Sequence, residues 1–342
     1  MRRAFKKGVI AIVGLIVFWV WVERELLAYL IMQGRGQVEI LWQARDIVEV
    51  LEDESVDPEI KGKILLVDEV KAFAEQRLGL ESAGLYTKLY DQQGKDILWN
   101  LSACEPYELR SVEWRFPIVG SVSYKGFFDL ASAQSEQQAL EAKGLDTRIR
   151  SVNAWSTLGW FSDPILSKNL KRSEGSVAEL FIHEITHANI FLKDSLTFNE
   201  NLASFIGEEG ARLFLVDRYG KDREAYQVYV EAAHDAQLFV GHCLNGVSEL
   251  THLYASFDDM MSIEEKSQAK QVYLSNWVAR LDTIPFFDNV RYQGLFEDVL
   301  PNNAFFMAFE RYDSKKENFK KQLETSFKGD LAAFVTYYKM QN

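Results

Sequence analysis

The chain is poor in the residues that build a cross-linked or a nucleic-acid-binding protein. Its 342 residues include two cysteines, Cys104 and Cys243, which are far apart and form no Cys-x-x-Cys pair. Neither a disulfide framework nor a structural zinc ribbon is therefore indicated. The formal net charge is −12, and no cluster of Lys and Arg is present to follow a phosphate backbone, which disfavours a nucleic-acid partner. Internal repeats and low-complexity segments are also absent, so we expect an ordinary globular protein with a large core.

The N-terminus combines a basic segment, residues 1–7, with an uncharged run over residues 8–22. This pattern is typical of an export signal, and the positive charges before the run predict that the rest of the chain lies outside the cytoplasm. No small-x-small cleavage pattern follows the run. We therefore predict an uncleaved inner-membrane anchor over residues 1–25 with an extracytoplasmic, periplasmic catalytic domain. The alternatives are a cleaved signal peptide and a buried helix.

Hydrophobic periodicity predicts an α+β protein. Helical spacing of the apolar residues favours two helices, over residues 26–53 and 57–78. Between residues 85 and 155 the period changes to that of strands, which predicts a small antiparallel sheet with one helix inserted at 132–143. From residue 197 onwards helical patterns predominate, and glycine and proline mark their ends.

Histidine is also scarce, yet two of the five histidines form the motif His183-Glu184-Ile185-Thr186-His187 within an apolar helical pattern. Residues four apart share one face of an α-helix, so both imidazoles can bind one metal ion. His-Glu-x-x-His is typical of zinc metalloproteases, in which the Glu acts as general base towards the zinc-bound water. A sheet ahead of such a helix predicts a zincin-like catalytic lobe over residues 26–219, followed by a mainly helical region over 220–342. An edge strand of that sheet can pair with an extended peptide.

A zinc site also needs a third protein ligand, with one position left open for water. Lys193 stands where the third histidine of a metzincin would be, which excludes that class. Glu200 opens the next helix after a short loop that lets the two helices pack antiparallel, so we predict that it is the third ligand. Asp194, His234 and His242 are the alternatives.

Five stretches of the chain carry a family resemblance: residues 36–41, 116–129, 156–166, the His-Glu-x-x-His helix and 197–200. In these stretches the chain resembles the predicted bacterial zinc aminopeptidases, which are exported gluzincins of unestablished substrate. The resemblance runs from about residue 36 to about residue 210. It implies zinc binding by His183, His187 and Glu200 and catalysis by Glu184. Many members begin with a lipoprotein signal, whereas this chain has no cysteine near its N-terminus.

The hypothesis for function is peptide hydrolysis in which Glu184 takes a proton from the activated water and passes it to the leaving amine. Tyr124 is the candidate donor to the oxyanion, because a phenol can stabilise that charge. The aminopeptidase assignment rests on the resemblance, since the amine-binding sequence Gly-x-Met-Glu-Asn is absent, and Glu208, Glu209 and Asp163 are candidates for that role. A zinc endopeptidase or cell-envelope peptide hydrolase is the alternative. A non-catalytic, membrane-tethered binding module is disfavoured because Glu184 is present.

Overall fold

The structure is a computed structural model that describes residues 24–116, 120–152, 163–193, 195–292, 294–313 and 316–341. The run of residues 8–22 lies outside these ranges, so the membrane anchor and the localisation that follows from it stay predictions. Within the described ranges, no helix combines the length and the apolar character needed to cross a bilayer. Asp194 and residues 156–162 of one resembling stretch also lie outside.

The described part of the chain is largely helical, with short strands in its first half. The helices are α1 (Arg24–Gln43), α2 (Ile47–Glu52), α3 (Pro58–Leu78), α4 (Leu130–Glu141), α5 (Glu174–Asn189), α6 (Leu196–Tyr219), α7 (Glu224–Ala255), α8 (Ile263–Ala279), α9 (Asn303–Asp313), α10 (Lys316–Ser326) and α11 (Leu331–Lys339). The strands are β1 (Arg45–Asp46), β2 (Lys88–Tyr90), β3 (Trp99–Cys104), β4 (Trp114–Phe116), β5 (Gly120–Val122), β6 (Lys125–Phe127), β7 (Asp146–Ser151) and β8 (Ile165–Leu166).

The strands of the described residues form three small sheets, where the sequence predicted one antiparallel sheet. The first has the order β1-β2-β8 and is mixed, because β8 pairs with β2 in parallel, with Leu89 opposite Ile165. The second, β6-β3-β7, and the third, β4-β5, are antiparallel. The α+β class is confirmed, but the single sheet was wrong, because alternation of residues locates a strand without naming its partner.

The first of the predicted helices, over residues 26–53, is interrupted. Asp46 pairs with Lys88 in the first sheet, and its side chain accepts a hydrogen bond from the backbone N–H of Val48. An aspartate that bonds the backbone two residues ahead starts a new helix, which is why α2 begins immediately after β1. The chain therefore enters the first sheet between α1 and α2.

The main core surrounds α5 and α6, and the last two helices belong to it. Phe319 of α10 and Phe334 of α11 are buried, and their rings pack against Phe205 of α6 at centroid distances of 5.9 and 5.3 Å. The aromatic tail of the chain thus covers the lobe that carries the metal motif. A second core joins α7, α8 and α9 around Trp277. The division of the chain at residue 219 stays a prediction.

Candidate metal centre

The local sequence explains where helix α5 begins and which face it buries. Ser173 caps its N-terminus by accepting a hydrogen bond from the backbone N–H of Ser176, and Glu174 places a negative charge in the first turn. The helix ends where Ile190 takes an extended conformation. One face of the helix is apolar and buried, which fixes its rotation and turns the two histidines towards α6. The buried apolar side chains are Val177, Ala178, Phe181, Ile182 and Ile185.

The loop between α5 and α6 is held closed by Asn199. Its side-chain oxygen accepts a hydrogen bond of 2.9 Å from the backbone N–H of Leu192, and its amide donates one of 2.8 Å to the Leu192 carbonyl. Asn199 is almost fully buried. Because these two hydrogen bonds fix the start of α6, the adjacent Glu200 is directed back towards the end of α5.

A glycine lets the two helices approach closely. A Cβ atom at Gly207 would lie 2.8 Å from the carbonyl oxygen of Glu179 and 3.1 Å from the Cβ of His183. Real Cβ atoms essentially never show a contact of 2.8 Å with a backbone oxygen, so any larger residue requires α6 to move away from α5. Gly207 therefore helps to set the distance between the histidines and Glu200.

We expect Gly207→Ala to lower the free energy of unfolding by about 1–3 kcal/mol because it overpacks this contact. The affinity for metal should fall as well, since the ligands on the two helices move apart. Gly241→Ala on α7 is the control: no atom lies within 4 Å of the added Cβ, so it should be neutral or stabilise by up to about 1 kcal/mol. Urea unfolding and metal titration measure both effects. Equal stability of the two variants would contradict the close approach.

Three side chains of these helices converge on one point. The Nε2 atoms of His183 and His187 are 3.1 Å apart, and each lies 3.7 Å from Oε2 of Glu200. One ligand atom from each residue lies within 4.8 Å of the other two. The side chains are 19%, 9% and 17% exposed, respectively, so the group is enclosed but can still be reached. This group can bind a metal ion.

The histidines have different electrostatic surroundings. Burial and the neighbouring His187 lower the pKa of His183 to about 3, so this imidazole is neutral near pH 7. Burial also disfavours the charged form of His187, but the Glu200 carboxylate more than offsets this and raises the pKa. Nδ1 of His183 lies 3.4 Å from Oγ of Ser204. In the tautomer that frees Nε2 for a metal, Nδ1–H donates to Ser204, which orients the ring.

Glu184 lies on the same helix as the two histidines but has different surroundings. It lines a cavity between α5 and β8, together with Tyr86 and Asn169. Burial raises the pKa of the Glu184 carboxyl to about 7, and the charges of Glu200 and Asp163 act in the same direction. A carboxyl group with a pKa near 7 is suited to accept and return a proton near neutral pH.

The other residues that the sequence suggested for the site lie elsewhere in the fold or contact other groups. Tyr124 lies between β5 and β6, outside the α5–α6 pair, and its role as oxyanion donor stays a prediction. His242 stacks on Trp277, with its Nε2 3.0 Å from the Trp277 carbonyl oxygen, so it belongs to the second core. His234 packs against Phe287. Neither histidine joins the ligand group of the described residues.

Of the acidic candidates for an amine site, one lies near Glu184. Glu208 accepts a hydrogen bond of 2.9 Å from Arg212, and Glu209 lies 3.8 Å from the same side chain. Asp163 is buried and acts electrostatically on Glu184. Sequence reasoning missed Tyr86, Asn169 and Ser204. Ser204 had a signal, because it follows Glu200 by four residues on one helical face.

The fold and this group define an α+β protein with a three-residue site that can bind a metal ion. Residues 28–341 match the family described as "Putative aminopeptidase", and the chain belongs to that family. The match includes the C-terminal helices and so extends beyond residues 36–210, where the sequence motifs placed the resemblance. No curated protein and no solved structure gives a significant match to the chain.

Proposed function

We propose that the protein is a zinc-dependent aminopeptidase with His183, His187 and Glu200 as ligands and Glu184 as general base. The observation that carries the proposal is the convergence of one carboxylate and two imidazoles beside a buried carboxyl group. Membership of a family described by aminopeptidase activity supports the reaction class. The proposed setting is the periplasmic side of the inner membrane, which rests on the N-terminal sequence pattern.

The donor set of the site fits zinc. Two imidazole nitrogens and one carboxylate oxygen form a ligand set that catalytic zinc sites use, with a further position for water. Calcium and magnesium prefer sites built from oxygen atoms alone. The hydrogen bond available between His183 and Ser204 supports the same assignment, because metal-binding histidines normally donate their second N–H to a partner.

A bound zinc ion would supply Lewis-acid activation of a water molecule and of the scissile carbonyl. Glu184 takes the proton from the attacking water and then donates it to the departing amine, for which a carboxyl pKa near 7 is suited. Helices α5 and α6 hold these groups in place, so little reorganisation is needed during the reaction.

The test is hydrolysis of peptides by the full chain purified in detergent, before and after metal removal. We expect cleavage of peptides with a free N-terminus, loss of activity with a chelator, and recovery with about one equivalent of Zn²⁺ per chain. Peptide products are separated and identified by mass spectrometry. Full activity after complete metal removal would refute the proposal, whereas equal cleavage of N-terminally blocked peptides would replace the aminopeptidase by an endopeptidase.

A further inference from the structure

Helix α1 turns a largely polar side towards the rest of the protein. The Tyr29 hydroxyl donates a hydrogen bond of 3.0 Å to the carbonyl oxygen of Gly126 in β6, and the Gln33 amide donates one of 2.9 Å to the same oxygen. Ile40 is almost fully buried. Because residues 29, 33 and 40 are four and seven apart, they share one face of the helix. This face fixes α1 to the edge of the sheet that β6 belongs to.

The opposite side of α1 is apolar and exposed. Ile31 is 71% exposed, Val38 57% and Trp42 85%, and Leu30 beside them is 43% exposed. Residues 31, 38 and 42 are seven and four apart, so their side chains also share one face. Since successive residues of an α-helix differ by about 100°, this face points roughly away from the face of Tyr29, Gln33 and Ile40.

This distribution is the reverse of the one expected for a surface helix. In a soluble domain the apolar side of such a helix faces the core and the polar side faces water. Single exposed apolar residues are normal, whereas several that join into one face mark an interaction site. From Leu30 to Trp42 the exposed face is about 18 Å long. The outer side of α1 is therefore a surface that an apolar partner can cover.

Two features of the chain point to lipid as that partner. The uncharged run over residues 8–22 ends two residues before Arg24, where α1 begins in the described chain. A membrane anchor over this run would hold the start of α1 at the bilayer surface. Arg24 and Arg35 are both exposed and lie along one border of the apolar face. Apolar residues, tryptophan and arginine on one side of a helix are typical of helices that lie in the membrane interface.

The same charges disfavour a second copy of the chain. Two copies anchored in one membrane would pack their α1 helices in parallel, which brings Arg35 of one copy close to Arg35 of the other. Like charges placed next to each other oppose association. A phospholipid surface instead offers phosphate groups to both arginines of the border.

We propose that the apolar face of α1, formed by Leu30, Ile31, Val38 and Trp42, lies on the phospholipid bilayer. Its side chains enter the boundary between headgroups and acyl chains, and α1 lies along the membrane surface. Because α1 is fixed to β6, this contact sets the orientation of the candidate metal centre relative to the membrane. The inference uses the predicted N-terminal anchor and does not depend on the proposed zinc chemistry.

The test uses the full chain in nanodiscs of phosphatidylethanolamine and phosphatidylglycerol, with a nitrobenzoxadiazole label on Val38→Cys. Both native cysteines are buried, so the reagent modifies the introduced one. Acyl chains brominated near the headgroup quench a label that touches them. Gln43→Cys is the matched control, because Gln43 is exposed but lies about 140° further round the same helix. We expect the bromolipid to quench the label on Val38→Cys at least about threefold more than the label on Gln43→Cys.

A further variant tests whether the apolar face itself makes the contact. Ile31→Ser combined with Trp42→Ser should reduce the quenching at Val38→Cys to the level of the control. The melting temperature should not change, since both side chains are largely exposed.

Two results would overturn the membrane contact. One is equal quenching at positions 38 and 43. The other is a blue-shifted label on Val38→Cys that bromolipid does not quench, because protein would then cover the face, either a second copy or residues 1–23. Absence of peptide hydrolysis would refute the proposed function and leave these fluorescence results unaffected.

Discussion

Replacing Glu184 by glutamine is expected to lower kcat by about 10²–10⁴-fold, the usual contribution of a general acid–base group. Glutamine has nearly the same size as glutamate but cannot take a proton from water. Zinc content should stay at the wild-type level, because the proposed ligands are His183, His187 and Glu200. The measurements are kcat at saturating substrate and metal content by elemental analysis of the same samples.

Glu179→Gln is the control for this experiment. Glu179 lies on the same helix, is largely buried and has a raised pKa for the same main reason, burial. Its carboxylate accepts a hydrogen bond of 2.9 Å from the Tyr229 hydroxyl, which a glutamine oxygen can also accept. We therefore expect kcat of Glu179→Gln to stay within about threefold of the wild type. If Glu184→Gln retains an unchanged turnover number, Glu184 is not the general base.

The sequence predicts those residues of the candidate site whose arrangement depends on local helix geometry. The spacing of His183 and His187 places both on one face of any helix, and Glu184 follows from the same motif. The prediction of Glu200 also needed the inference that the loop is short enough for α6 to pack against α5. In the structure these three ligand side chains do lie together. Their chemical roles stay predictions.

The cavity beside Glu184 could not be predicted in the same way. Tyr86 and Glu184 are almost a hundred residues apart in sequence, and they meet because β2 pairs in parallel with β8. Parallel strands need a long connection, and nothing in the alternation of residues 85–90 names β8 as the partner. Asn169 lies in a 3₁₀ turn whose sequence gives no functional signal. This cavity depends on pairing between strands that are distant in sequence, and local alternation of residues does not specify that pairing.

The same limit explains the errors in the fold. Alternation predicted strands between residues 85 and 155, and β3 and β7 lie within this range. The division into three sheets was not predicted, because pairing depends on contacts between distant residues. Helical patterns were predicted from residue 197 onwards without the bounds of α9 and α11, whose apolar faces pack into two different cores. Helix formation there depends on tertiary packing more than on local propensity.

Replacing Glu200 by alanine is expected to remove most of the bound metal. In the proposed site the carboxylate is the ligand that α6 supplies. Without it, the two imidazoles of α5 would leave zinc with fewer protein ligands than catalytic sites use. Loss of an outer-shell partner already costs about 10–100-fold in metal affinity, so loss of a direct ligand should cost more than about 100-fold. Competition with a fluorescent zinc chelator measures the affinity, and activity should fall in parallel at limiting zinc.

Two further variants separate ligation from a general effect of charge on α6. Glu209→Gln removes a carboxylate from the same helix, but Glu209 is not in the ligand group and lies beside Arg212. Its zinc affinity should stay within about threefold of the wild type. Ser204→Ala removes the partner of His183 Nδ1 and should give an intermediate loss of about 10–100-fold. The order Glu200→Ala, Ser204→Ala, Glu209→Gln, from largest to smallest loss, is the result that direct ligation requires. A change of net charge alone cannot produce that order of losses in zinc affinity. Full zinc occupancy and activity in Glu200→Ala would exclude Glu200 as a ligand.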